Sequence, residues 1–134
     1  MIPRFRAYDG GSLCRMYSPE EVMVGNGDIW IIDEDGVVGE WIVNNDLVLM
    51  QSTGLKDKNG KEIFEGDIIA INLEGIETPI TAKVFQNRKI GILMFHAFED
   101  NEDVPMVELL EGDSVEFAII GNIWENPELL EVGQ

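Results

Sequence analysis

Short apolar runs, each closed by a polar turn, make up most of this chain. Val, Ile, Phe, Trp and Tyr fill the runs, and glycine, which occurs 14 times, separates many of them. Short, turn-bounded runs of β-branched and aromatic residues are typical of strands rather than helices. The pattern therefore predicts a mainly β protein.

Residues 1–52 are predicted to form an antiparallel meander preceded by a hairpin. Residues 4–8 alternate polar and apolar side chains, which indicates a first strand, and residues 13–17 form its hairpin partner. Ser18, Pro19 and Glu21 have the spacing of a capping box, so at most one or two helical turns are expected before Gly25. Three strands with polar turns between them complete the meander, at residues 29–32, 37–43 and 47–51.

Residues 53–134 are predicted to form a small, strongly bent barrel with glycine at its bends. Asn59-Gly60 indicates a tight hairpin, because both residues tolerate positive φ, and a solvated tip is expected from the charges at 56, 57, 58 and 61. The predicted strands are residues 63–72 with a bend at Gly66, 80–86, 90–96, and 115–123 with an interruption at Gly121.

The predicted connections in this second half are acidic or short. Residues 73–79 and 98–104 are predicted as acidic loops, residues 105–111 fit either a strand or one helical turn, and residues 112–113 form a turn. Asn126 is expected to cap a terminal helical turn. Because no linker or repeat interrupts the chain, we expect one domain at 1–134 with two subregions, 1–52 and 53–134.

The net charge of −17, from 9 Lys and Arg against 26 Asp and Glu, restricts the possible partners. A surface this negative repels phosphate backbones and anionic membranes, so nucleic acid and membrane are not expected partners. One cysteine, Cys14, excludes an intrachain disulfide and fits a reducing cytoplasm. No apolar run reaches the ~18 residues of a membrane span, and the N-terminus does not have the pattern of a signal peptide.

Two residues are candidates for chemistry, and each also has a structural interpretation. His96 is the only histidine, whereas a base or a metal site needs positioned partners, which favours a structural role on its strand. Arg15 beside Cys14 would lower the pKa of the thiol, but a catalytic arrangement also requires His96 next to it. We therefore assign no catalytic, cofactor-binding or metal-ligating residue, and we expect no cofactor and no enzyme activity.

The acidic turns and glycine pairs also lack the spacing of known ligand sites. Asp33–Asp35 and residues 100–103 resemble cation-binding turns, yet neither has the alternating ligands of an EF-hand loop. Gly25-Asn26-Gly27 is not followed by the Lys-Ser/Thr pair of a phosphate-binding loop. Solvated turns are the simpler interpretation of all three segments.

Lysine and tryptophan side chains supply the remaining hypotheses. Lys56, Lys58 and Lys61 near Phe64 would suit nucleic acid, but at this net charge a charged, soluble hairpin is the preferred interpretation. The tryptophans are expected in the core, and any two exposed together would mark a partner site. They are Trp30, Trp41 and Trp124.

Three blocks of sequence resemble the YopX family, small proteins of phages and prophages. They are RFRAYD at 4–9, close to the family pattern F-R-A-W/Y-D, LMQSTGLKDKNGKEIFEGDI at 49–68 and IGNIWENPELL at 120–130. The resemblance implies a mainly β fold, with an SH3-like barrel in the second half, in the cytoplasm of a bacterial host. It implies no activity and carries over no functional residue.

Together these observations predict a non-enzymatic accessory protein that binds a host or phage protein or assembles with itself. Strand edges must be covered, and oligomerisation is one way to cover them. Two alternatives stay open. One is an acidic decoy whose carboxylates imitate DNA phosphates, and the other is an SH3-like barrel that binds nucleic acid through the basic hairpin.

Overall fold

A computed structural model describes residues 4–11, 14–32, 40–111 and 115–131 of the chain. The protein is mainly β with antiparallel sheets, as the sequence predicts. The chain divides into two compact units, Met1–Ser52 and Thr53–Gln134. The predicted turns at 33–36 and 112–113, and residues 37–39 of a predicted strand, lie outside the described residues.

Five strands and the start of a sixth lie in the first unit. They are β1 (Phe5–Asp9), β2 (Arg15–Tyr17), β3 (Val22–Gly25), β4 (Asp28–Ile32), β5 (Trp41–Val43) and β6 (Val48–Lys56), which ends in the second unit. A 3-10 turn over Pro19–Glu21 has the predicted capping box. This single turn lies within the expected length, and it ends where Val22 turns inward into the core and the residues up to Gly25 continue as β3.

The first unit contains two sheets around one small core. β1 pairs with β2 on one side and with the start of β6 on the other, while β3, β4 and β5 form a separate three-stranded sheet. The prediction of one meander was therefore wrong, because residues 47–51 pair with β1 and not with the preceding strand. Apolar alternation fixes which face of a strand is buried but not which strand lies beside it. The core is Ala7, Tyr17, Val22, Ile31 and Leu47.

The second unit has a five-stranded antiparallel sheet, in the order β11-β10-β9-β8-β12, that curls as a half-barrel. Its elements are β7 (Glu62–Phe64), β8 (Asp67–Leu73), β9 (Ile80–Asn87), β10 (Ile92–Ala97), β11 (Glu102–Pro105), α1 (Val107–Leu110), β12 (Val115–Asn122) and a 3-10 turn over Pro127–Glu131. Ten buried residues from these elements form its core, Ile69, Val84, Phe95 and Met106 among them. The SH3-like closure of the barrel stays a prediction.

Three predicted boundaries in the second unit were wrong for identifiable reasons. The strand at 63–72 is two strands, because Gly66 at φ +86° turns the chain between β7 and β8. The loop at 98–104 is a tight turn followed by β11, since Asn101 at φ +51° reverses the chain early and Val104 pairs with Phe95. The strand expected from residue 90 begins at Ile92, after a turn that Gly91 closes at φ +71°.

Candidate functional site

The hairpin tip between β6 and β7 is held by a buried carboxylate. Asp57 was expected to be solvated, yet its relative exposure is only 6%. One oxygen, Oδ1, accepts the N–H groups of Asn59 and Lys61, each at 2.9 Å, and Oδ2 accepts the N–H of Ile119 in β12 at 3.0 Å. Burial opposes ionisation of Asp57, but the three N–H groups and the nearby Lys61 charge outweigh it and lower its pKa.

A second buried carboxylate supports the turn between β7 and β8. Asp67 is 1% exposed, and its Oδ2 accepts the N–H of Phe64 at 2.8 Å. Between Phe64 and Asp67, Gly66 donates its N–H to Val84 O, and its carbonyl oxygen accepts the N–H of Ile123, both at 2.9 Å. This turn therefore joins three parts of the second unit through its own backbone.

The turn after β12 is organised by a buried amide. Asn122 Oδ1 accepts the N–H groups of Trp124 and Glu125, and its Nδ2 donates to Glu125 Oε1. The residue predicted as a cap, Asn126, accepts the N–H of Asn122 at 3.1 Å through its side-chain oxygen. A Cβ on Gly121 would lie 2.6 Å from that oxygen, so only glycine fits there without a shift. The family-like sequence blocks at 49–68 and 120–130 thus contain residues that stabilise the fold.

His96 lies on β10 in a cross-strand pair. Its Nδ1 is 2.7 Å from Asp103 Oδ1 on β11, and its ring meets Phe98 edge-on with centroids 5.7 Å apart. Lys83 is opposite it on β9. Cys14, in the first unit, is exposed and has a φ of +47°. Neither residue acquires the oriented base, nucleophile and orienting group that a catalytic site requires.

Metal and phosphate sites find no support among the described residues. Within the described ranges, no group of three or more His, Cys, Asp or Glu residues lies in an arrangement that would hold a metal ion. Glu102 and Asp103 are consecutive on β11, so their side chains point to opposite faces. The acidic turn Asp33–Asp35 lies outside the described residues. Asn26 and Gly27, at φ +53° and +79°, form the hairpin turn between β3 and β4.

Several basic side chains are paired with nearby carboxylates. Four such ion pairs are Arg4–Glu20 at 3.5 Å, Lys58–Glu116 at 3.8 Å, Arg88–Glu65 at 3.0 Å, and Arg15–Glu21. Hydrogen bonding by Ser18 is the main cause of the lowered pKa of Glu21, against a smaller effect of burial, and the Arg15 charge adds to it. Pairing of this kind neutralises cations locally, which weakens the case for a basic patch.

An apolar groove lies beside α1 in the second unit. It has a volume of about 240 Å³. Its lining is mostly apolar and comes from β6, β10, β11 and α1: Thr53, Leu55, Ile92, Leu93, Pro105, Met106, Val107 and Leu110. Three of these large apolar side chains are exposed, Ile92 at 41% and Val107 and Leu110 at 52% each. Large apolar side chains that share a concave exposed surface mark an interaction site.

The groove was not predicted, because the segment before residue 111 was ambiguous between strand and helix. Met106 is 1% exposed and Leu109 is 7% exposed, so α1 is anchored to the core by residues three apart. That spacing places Val107 and Leu110 together on the outer side, as helical geometry requires. The sequence signal for this arrangement is the pair of i, i+3 patterns in PMVELLE, Met106 with Leu109 and Val107 with Leu110. It was not used, because the segment also fitted a strand.

The three-stranded sheet of the first unit has apolar residues on both faces. Val22 and Ile31 are buried in the core on one face. The register places the remaining apolar positions on the other face: Met23, Trp30, Ile32, Trp41 and Val43. Met23 and Val43 are 47% and 44% exposed, and the two tryptophans are half-buried. Two of the three tryptophans therefore share one partly exposed face.

None of the described helices combines the length and the apolar composition that a membrane crossing requires.

Comparisons with known proteins agree on the family and on the fold. A crystal structure of protein EF1440 from Enterococcus faecalis is 30% identical, with 98% of this chain and 99% of that chain covered and a TM-score of 0.64. A crystal structure of protein yopX from Bacillus subtilis is 20% identical, with 96% and 98% covered and a TM-score of 0.62, which is evidence for the fold. No curated protein matches. The model of the YopX protein family matches residues 4–131, and the chain therefore belongs to that family.

Proposed function

We propose that this protein is a non-enzymatic accessory protein that binds another protein through the apolar groove beside α1. The observation that carries the proposal is the exposure of Ile92, Val107 and Leu110 around a preformed concavity. Exposed apolar surface is stabilised by burial at about 25 cal/mol per Å², which favours an apolar partner segment there.

The groove is rigid enough to act as a binding surface. Met106 donates its N–H to Leu93 O at 3.0 Å, and Leu109 donates to Met106 O at the same distance. The first bond ties the start of α1 to β10 and the second closes the turn of α1, while the side chains of Met106 and Leu109 fill the core below. A preformed groove loses little conformational entropy on binding, so more of the contact energy appears as affinity.

Charge supports a basic partner. Glu108 and Glu111 are exposed on and directly after α1, close to the groove, and the whole chain has a net charge of −17. A positively charged partner is attracted to such a surface over long range, and salt weakens that attraction. The expected partner segment therefore has apolar anchors flanked by Lys or Arg.

The proposal includes two further statements, that the protein is not an enzyme and that it acts in the cytoplasm. The YopX family has no known enzymatic activity. A protein-binding role requires no enzymatic activity. It also agrees with the hydrogen bonds of His96, Asp57 and Asp67, which stabilise the local structure. We expect the cytoplasm of a bacterial host as its setting, since a single exposed cysteine suits a reducing compartment.

The two alternatives receive less support from the described residues. A nucleic-acid-binding barrel needs free cations, but Lys58 at the hairpin tip lies 3.8 Å from Glu116. A DNA-imitating decoy needs carboxylates arrayed on the surface, but Asp57 and Asp67 are buried and Glu65 is paired with Arg88. Both ideas stay predictions.

The test is affinity capture from a nuclease-treated bacterial lysate with the full chain as bait. The wild type and an Ile120→Glu control should retain the same protein, because Ile120 is 44% exposed but lies on β12, outside the groove lining. A Val107→Glu/Leu110→Glu double variant should retain at least about tenfold less, because it places charge against apolar anchors. Retention should also fall as salt rises.

Three outcomes would contradict the proposal. They are capture of no protein, equal capture by the double variant, and capture from a parallel untreated lysate that nuclease treatment abolishes. The last would instead support a nucleic-acid partner. Circular dichroism of each variant verifies that the fold is retained.

A further inference from the structure

β5 has an outer edge that no other strand covers within the described part of the chain. The sheet order is β3-β4-β5, so β5 is paired on one side only. An uncovered strand edge presents N–H and C=O groups that pair readily with another strand. Ile42 and Val43 are also 43% and 44% exposed.

The register determines which backbone groups of β5 point outward. Trp30 is opposite Val43 and Ile31 is opposite Ile42, and Asn44 donates its N–H to Ile29 O at 2.9 Å. In an antiparallel pair, hydrogen-bonded and non-hydrogen-bonded positions alternate. The N–H and C=O of Ile42 therefore face β4, and those of Trp41 and Val43 face away from the sheet.

The edge strands of the five-stranded sheet are protected in ways that β5 is not. On β12, the hairpin tip covers the edge, because Lys58 donates its N–H to Phe117 O at 3.0 Å and Asp57 accepts the N–H of Ile119. On β11, two charged residues and a proline discourage pairing: Glu102, Asp103 and Pro105. The three residues of β5, Trp-Ile-Val, contain neither a charge nor a proline.

We propose that β5 pairs antiparallel with β5 of a second copy of this chain, about a two-fold axis at Ile42. This register places Trp41 opposite Val43 of the second copy, and Val43 opposite its Trp41. Each of these two pairs exchanges two backbone hydrogen bonds, so the outward N–H and C=O groups of Trp41 and Val43 are all satisfied. A single six-stranded sheet results.

The side chains at this seam are complementary. Ile42 meets Ile42 of the second copy on one face, and Trp41 meets Val43 on the other, and aromatic–β-branched cross-strand pairs stabilise sheets. One step outward, Glu40 is opposite Asn44 of the second copy, so no carboxylate is placed directly opposite another. The apolar face that includes Met23 and Trp30 becomes continuous across the two copies.

Net charge gives this association a distinctive salt dependence. Two copies with a charge of −17 each repel one another, and salt screens that repulsion. The dimer should therefore tighten as salt rises. Binding of a basic partner in the groove beside α1 should weaken under the same change, so the two surfaces can succeed or fail independently.

Sedimentation equilibrium of the full chain at 50 and 500 mM NaCl tests the proposal. The expected result is a concentration-dependent dimer whose dissociation constant falls several-fold at the higher salt. A monomer at all concentrations and both salts overturns it, and so does a dimer that salt dissociates.

Charged variants at the two-fold axis locate the interface. Ile42→Glu and Ile42→Lys should each weaken the dimer by at least about tenfold, because like charges face each other in place of an apolar pair. A mixture of the two variants should form a heterodimer, because opposite charges then meet. The exposed loop variant Ile76→Glu is the control and should dimerise as the wild type does.

The variant experiment can either support or contradict pairing through β5. A wild-type-like dimer of Ile42→Glu, or a mixture that stays monomeric, contradicts pairing through β5. If circular dichroism shows that either charged variant is unfolded, Val43→Pro replaces it, since it removes only an outward N–H. Val43→Pro should be folded and monomeric, and a folded Val43→Pro dimer overturns the proposal.

Discussion

Asp57→Ala removes the carboxylate that joins the hairpin tip to β12, and its cost can be worked out bond by bond. Asn59 and Lys61 are exposed, so water replaces the carboxylate and each lost bond costs about 0.5–1.5 kcal/mol. The N–H of Ile119 lies on a half-buried strand, where an unsatisfied donor costs about 1–3 kcal/mol. Since neighbouring effects are not additive, we expect a loss of about 3 kcal/mol.

Asp57→Asn separates the charge from the shape of this side chain. One amide oxygen can serve either the tip or Ile119, and the amide NH₂ then faces a donor, so a loss of about 1–2 kcal/mol is expected. Urea denaturation followed by circular dichroism measures both variants. The control is Asp100→Asn on an exposed turn, which should change the free energy of unfolding by less than about 0.5 kcal/mol.

The pH dependence tests whether the charge of Asp57 stabilises the fold. Its pKa in the folded protein is lowered, whereas an unfolded aspartate has a pKa of about 3.9. The stabilisation by the carboxylate is therefore complete above that value and is lost as the pH falls through the lower folded pKa. The difference between wild type and Asp57→Asn should be constant from about pH 5 to 8 and shrink below about pH 4.

Two results would refute this reasoning. One is a cost of Asp57→Ala below about 1 kcal/mol, which would mean that water substitutes for all three bonds. The other is a wild-type advantage over Asp57→Asn that persists unchanged to pH 2.5, which would show that ionisation contributes nothing.

Two further substitutions test the packing of the second unit. Gly121→Ala should cost about 1–3 kcal/mol in urea denaturation, because its Cβ would lie 2.6 Å from Asn126 Oδ1, while Gly25→Ala has open space and should be near neutral. Ile69→Ala removes a fully buried side chain and should cost about 2–5 kcal/mol by the same assay. A loss below 1 kcal/mol for either Gly121→Ala or Ile69→Ala would contradict the packing described.

The sequence predicted local structure well because its signals are local. Gly60, at φ +81°, supplies the positive φ of the hairpin turn that Asn59-Gly60 predicts, and the Ser18–Glu21 spacing specifies a capped turn. Burial of Asp57 was missed, although an Asp two residues before Asn59 is the signal of an Asx turn. Its third partner, Ile119, is 62 residues away, and no local pattern encodes that contact.

The hydrophobic pattern also could not predict sheet pairing or surface exposure, because both depend on contacts between residues that are distant in the sequence. Residues 47–51 read as the next strand of a meander, but they pair with β1, near the start of the chain. Residues 105–111 fitted either a strand or one helical turn, and only the burial of Met106 and Leu109 shows that Val107 and Leu110 face outward. The groove beside α1 is therefore a property of the assembled unit and not of any one segment.

The bond from Ile119 to Asp57 has a consequence for synthesis on the ribosome. At about 5–20 residues per second, the 62 residues from 58 to 119 take roughly 3 to 12 seconds to be made. During that interval the Asp57 carboxylate lacks one of its three donors, and β8 lacks its β12 neighbour. A nascent chain that stalls in this window would hold β8 with one edge uncovered, and an uncovered apolar strand edge is a site for aggregation or chaperone binding.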